Sequence, residues 1–110
     1  KERRPLTDKV QVSTPDLINY NIELTYYISN EDIAQEALIK SKVEKAIDEY
    51  EVWQRSKIGR DINPSELVTK IRLAGAKRVD IVSPFYTSVN SSSVAVSDIK
   101  TVIYGGLEDE

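Results

Sequence analysis

The chain contains no cysteine, no histidine and no methionine. The first two absences exclude disulfides, thiolate nucleophiles, the commonest soft-metal ligands and the usual neutral-pH general base. They leave the redox compartment open. The third, together with the opening KERRPL, makes the sequence read as a segment of a longer protein. No apolar run approaches the ~18 residues of a membrane-crossing helix, and no signal-peptide pattern is present. A phosphate-cradling glycine loop and a nucleophile elbow are both missing. Gly105-Gly106 has no helix after it, and the serines at 91–93 have no base in this chain. These residues therefore predict no enzyme active site, no cofactor and no metal site.

What is present is the composition of an ordinary globular protein. At 110 residues, 40% hydrophobic and 30% charged, the chain is long enough for one domain with a real core. Its net charge of −3 is mixed along the sequence. That balance disfavours a nucleic-acid partner, which usually meets a strongly basic patch.

One stretch organises the rest. In INYNIELTYYIS, residues 18–29, Ile18, Tyr20, Ile22, Leu24, Tyr26 and Ile28 occupy every second position. Side chains alternate faces along a strand, so this spacing predicts a long strand with one apolar face and one mostly polar face. The polar face points to an antiparallel sheet open on one side. An apolar face needs a cover, and the helix that follows is the natural one.

Taken in order, residues 1–7 with Pro5 read as a linker from a preceding domain, and Asp8–Ser13 as a short strand ending at a Thr14-Pro15-Asp16 turn. Ser29 or Asn30 caps a helix that has Glu31 and Asp32 at its positive end. Ile39, Val43, Ala46, Ile47, Tyr50 and Trp53 give that helix one apolar side as far as about Lys57. Its lysines read as a solvated face rather than an anion site. Gly59 lies past its end. Asn63-Pro64-Ser65-Glu66 then predicts a capped second helix with a capping box, buried through Leu67, Val68, Ile71 and Ala74 and stopped by Gly75. Lys77–Ser83 is a further strand, closed by Pro84. Residues 85–93 read as a mobile loop, 94–96 as a short strand, Ser97-Asp98 as a turn, and Ile99–Tyr104 as a last strand. The terminal LEDE reads as a disordered acidic tail.

The expected fold is therefore α+β: a two-layer sandwich in the order β-β-α-α-β-β, with a mainly antiparallel sheet of about four strands under one long and one short helix. Residues 8–106 form the single domain, between the linker and a 107–110 tail.

Candidate functional residues are few. Arg55, Lys57, Arg60 and Asp61 cluster at the helix junction, but one aspartate without companion carboxylates makes a poor metal site. Arg60 and Asp61 are better read as fixing the connection. Tyr20, Tyr26, Tyr50 and Trp53 fall on core-facing positions. Tyr27, which interrupts the polar face of the long strand, and Phe85-Tyr86 in the loop are the candidate protein contacts, because aromatics are enriched at interfaces. The alternative for these three is a local side-chain cluster.

Two patches also resemble a known family. Arg4-Pro5-Leu6-Thr7-Asp8-Lys9-Val10-Gln11-Val12 precedes the long strand, and Ile58-Gly59-Arg60-Asp61-Ile62-Asn63-Pro64-Ser65-Glu66-Leu67 precedes Ala74-Gly75-Ala76-Lys77-Arg78-Val79-Asp80-Ile81 and Ser83-Pro84. In order and spacing they resemble the C-terminal part of the baseplate J-like family, wedge proteins of contractile phage tails and related injection machines. The resemblance runs from about Arg4 to Tyr104, and the loop from Phe85 to Ser93 has no counterpart in it. It implies a structural role with no catalytic residues: a domain in the virion tail baseplate, assembled in the bacterial cytoplasm. Its partners would be other baseplate or tail proteins, and self-association fits a ring-shaped particle. Two other readings stay open. A nucleic-acid-binding α+β module would use Lys70, Arg72, Lys77 and Arg78. An accessory domain would serve an enzyme whose catalytic part lies before Lys1.

Overall fold

A computed structural model describes residues 14–109. The linker at 1–7 and the strand expected over Asp8–Ser13 lie outside the described residues. The long strand is present as β1, Asp16–Ser29. Tyr20, Ile22, Leu24, Tyr26 and Ile28 are all buried on one face, while Asn19, Asn21 and Glu23 are exposed on the other. Each fully buried aliphatic side chain contributes roughly 1.5–3 kcal/mol. The alternation in the sequence is thus the main source of the core.

After β1 the chain enters a 3-10 segment, Asn30–Gln35, capped by Ser29, whose Oγ accepts the Glu31 N–H at 3.2 Å. The long helix α1, Glu36–Arg55, starts only after this segment, later than the sequence predicts. Its buried residues Ile39, Val43, Ala46, Ile47 and Tyr50 belong to the expected apolar side. Helix α2, Pro64–Leu73, is capped as predicted by Asn63, whose Oδ1 accepts the Ser65 N–H at 3.1 Å, with Pro64 in the first turn. Among the described residues the Glu66 carboxylate does not close a capping box. Its N–H instead donates to the Asn63 carbonyl at 3.2 Å. Gly75 follows with φ +121° and would press a Cβ against Ile39 at 3.0 Å, so α2 stops where only glycine fits.

Among the described residues, strands β2, Arg78–Ser83, and β3, Ser93–Glu108, form a 3-stranded sheet with β1 in the order β2-β1-β3. The fold is α+β, with β1 at the centre. Leu67 and Ile71 of α2 join the core residues of α1 and β1 in one cluster.

Three expectations are corrected. The sheet is mixed: β1 pairs antiparallel with β2 but parallel with β3 along nearly its whole length. A parallel neighbour needs a long crossover, and the segment holding both helices and β2 supplies it. One open face did not require an antiparallel sheet. Second, the short strand, turn and last strand expected over 94–104 are a single strand. It absorbs the break as a bulge at Asp98–Ile99, where Asn21 Oδ1 accepts the Ile99 N–H at 3.1 Å. Third, β3 runs on through Leu107 and Glu108, residues expected in a disordered tail, because Ile28 and Ser29 pair with them and two cations bind Glu108.

Candidate protein-contact surface

The connection between α1 and α2 is held from inside by Gln54. This residue is fully buried, although its neighbours Trp53 and Arg55 reach the surface. Its amide donates to the carbonyls of Arg60 at 3.1 Å and Asp61 at 3.0 Å, and its Oε1 accepts the Tyr50 hydroxyl at 2.8 Å. Burial pushes the Tyr50 hydroxyl up to about 12, so it stays a donor. Arg60 stacks its guanidinium 4.2 Å over the Trp53 ring and donates to the Trp53 carbonyl. Asp61 accepts the Val89 N–H at 2.9 Å and the Tyr86 hydroxyl at 2.8 Å. Those bonds, the Val89 N–H first, hold its carboxyl below its ordinary value. Arg60 and Asp61 therefore fix the connection, as the sequence predicts, whereas Arg55 and Lys57 stand exposed. Gln54 carries no signal that sequence reasoning could have used: a polar residue late in a helix looks solvated.

The same contacts fix the loop that carries two of the predicted contact residues. Ile62 and Thr87 exchange backbone hydrogen bonds at 2.9 and 3.0 Å. Val89 is buried, and Asn90 Oδ1 accepts from the Ser92 N–H and from the hydroxyls of Ser92 and Ser93. The serine run expected to be mobile is a hydrogen-bonded turn. Phe85 and Tyr86 stand out from this frame, 74% and 61% exposed. A shallow groove of about 230 Å³ lies beside Phe85, between Pro84, Thr87 and the Ile18–Asn21 stretch of β1.

Tyr27 occupies a different place. It pairs with Arg78 at the far end of β2, whereas Phe85 lies just beyond Ser83, which pairs with Glu23. At ~3.3 Å per strand residue, the two places are more than about 10 Å apart. The Tyr27 ring covers Gly105 so closely that a Cβ there would collide with it. The Arg78 guanidinium lies 3.9 Å from the same ring. Arg78 then binds Glu108 through Nε at 2.8 Å and Nη2 at 2.6 Å, and Lys77 joins at 3.1 Å. These bonds, Arg78 first, hold the Glu108 carboxyl down to about 2. Because β2 and β3 flank β1, this clasp ties the two outer strands together across the middle one. It also engages two of the cations that a nucleic-acid reading needs.

Among the described residues no group of acidic side chains is arranged to hold a metal ion, and no helix is long and apolar enough to cross a membrane. The charged side chains described above serve the fold's own connections. The exposed features include strand edges and the pair Phe85 and Tyr86, of which Tyr86 is anchored on Asp61. Together with the sheet and two helices they make a small α+β module. The chain belongs to the family described as the Baseplate J-like protein C-terminal domain, whose model matches residues 20–104, from the core of β1 to Tyr104 in β3. It is also similar to Baseplate protein J of Escherichia phage P2, at 25% identity over 107 residues, covering 96% of this chain and 34% of that protein. The chain thus spans about a third of the length of that relative.

Proposed function

We propose that this chain is a structural assembly domain of a contractile-tail baseplate. It makes protein–protein contacts in the wedge, towards the attachment of tail fibres. Membership of the baseplate J-like family carries this reading. The role is non-enzymatic, its setting is the virion tail baseplate after assembly in the bacterial cytoplasm, and its partners are other baseplate or tail proteins. In this reading the helices form one layer and the sheet the other, which leaves the open sheet face to neighbours.

Phe85 and Tyr86 are the first contact, because aromatic anchors held in place before binding lose little conformational freedom on association. Tyr27, under Arg78, is a second and separate contact. The test is to change Phe85→Ser with Tyr86→Ser in the gene that encodes the chain and to quantify the protein in purified particles. With its circular dichroism unchanged, the variant should enter particles at roughly one-tenth of the normal level or less, the loss expected of a hot spot. Incorporation at the normal level would remove this surface from the assembly role.

A further inference from the structure

The outer edge of β3 has no backbone partner over Lys100–Tyr104 among the described residues. The Asp16 N–H bonds to the Ser92 carbonyl on the β3 side of β1, whereas the Tyr27 carbonyl accepts the Lys77 N–H on the β2 side. Even-numbered residues of β1 thus turn their N–H and C=O groups toward β3. The pairs Ile22↔Lys100, Leu24↔Val102 and Tyr26↔Tyr104 then leave the N–H and C=O of Lys100, Val102 and Tyr104 pointing away from the sheet. Their side chains line a groove of about 410 Å³ between α1 and β3, with Tyr26 and Ile47 behind them.

Edges that must stay solitary are blunted by proline, by bulges or by inward charges. This segment has no proline, and the register shifts of β3 lie at either end of it. Its one charge, Lys100, is already bound by Asp48 at 3.2 Å and Glu51 at 2.9 Å. Among the described residues the edge is open to pairing.

We propose that β3 pairs antiparallel with β3 of a second copy, across a two-fold axis at Val102. Val102 then faces Val102, and Lys100 of each copy faces Tyr104 of the other. Every outward N–H and C=O of the three residues meets a partner, and no like charges stand opposite. Other registers are worse. An axis at Lys100 sets lysine on lysine, and one at Ile103 sets Asp98 against Glu108. An axis at Thr101 turns the Tyr104 groups toward the bulge at Asp98. Hydrogen bonding and charge together select Val102, and the contact is isologous, as a two-fold pair requires. The two sheets become one continuous sheet.

The inference deepens the assembly reading by naming one partner, and it is tested on the chain alone, away from any particle. Sedimentation equilibrium of the chain should show a mass that rises from monomer to dimer with concentration. Val102→Pro removes an N–H that no bond among the described residues uses, so the ladder to β1 stays intact. It should raise the dissociation constant of the dimer roughly tenfold or more, with unchanged circular dichroism. Because the native sequence has no cysteine, Val102→Cys is a clean second probe. It should cross-link to a dimer on mild oxidation, while Val82→Cys on β2 stays monomeric; this pair decides if the proline variant does not fold. A monomer at every concentration, or equal cross-linking at both positions, overturns the inference. The assembly reading would still be judged separately, on particles.

Discussion

Gln54 joins α1 to the chain that follows it through one buried side chain, which satisfies two carbonyls and one tyrosine hydroxyl. Removing it takes one partner from each of those groups, the tyrosine hydroxyl buried and the carbonyls part-buried, and each buried group left unpaired costs about 1–3 kcal/mol. Gln54→Ala should therefore lower stability by about 2–4 kcal/mol in urea unfolding, well above the effect of an exposed change on the same helix. Tyr20 is the opposite case. Its hydroxyl is buried with no partner among the described residues, and burial raises its pKa. Tyr20→Phe should be neutral or stabilising by up to ~1 kcal/mol, measured the same way. At this scale the sequence is legible where a residue type has one plausible use, as with the cap Asn63 and the stop Gly75. It is not legible for Gln54, whose three partners are fixed only once the chain returns through Arg60 and Asp61.

Strand β3 is held at its end by the clasp from Glu108 to Arg78 and Lys77, and the clasp makes that end sensitive to acid. The Glu108 carboxyl titrates at about 2 in the fold against an ordinary value of 4.5. A lowered folded-state pKa means that the clasp contributes fully above the ordinary carboxyl value and is lost as pH falls toward about 2. Urea midpoints of the native chain and of Glu108→Gln, taken from about pH 6 down to about pH 2, should differ at the upper end and converge in acid. A difference that stays constant across this range would show that the clasp adds nothing. The clasp was not legible in the sequence. An acidic LEDE at the chain end looks like a solvated tail, and only the parallel register with β1 carries Glu108 to Arg78. Helix positions were far more legible, because apolar spacing within one helix is a local property. The α1 start was misplaced because Glu31 and Asp32 suit a 3-10 turn as well as an α-helix.

For the molecule as a whole, the alternation in residues 18–29 correctly marked the centre of the fold, and the helix-strand content followed. Strand direction did not, because direction depends on how the chain crosses over rather than on any one segment. Phe85 and Tyr86 are exposed, whereas Tyr27 is half-buried under Arg78, and the sequence did not show that Tyr27 and Phe85 belong to separate places. It could not show the Asp61 anchor behind Tyr86 either. The described side chains brace the fold, and in the proposed assembly role its open face and strand edges would be left for neighbours. The most direct measurement deletes residues 14–109 from the gene that encodes the chain and images the particles by electron microscopy. Missing or incomplete baseplates, with the remaining protein still soluble, are the predicted result. Intact, fibre-bearing and infectious tails would contradict the assembly role.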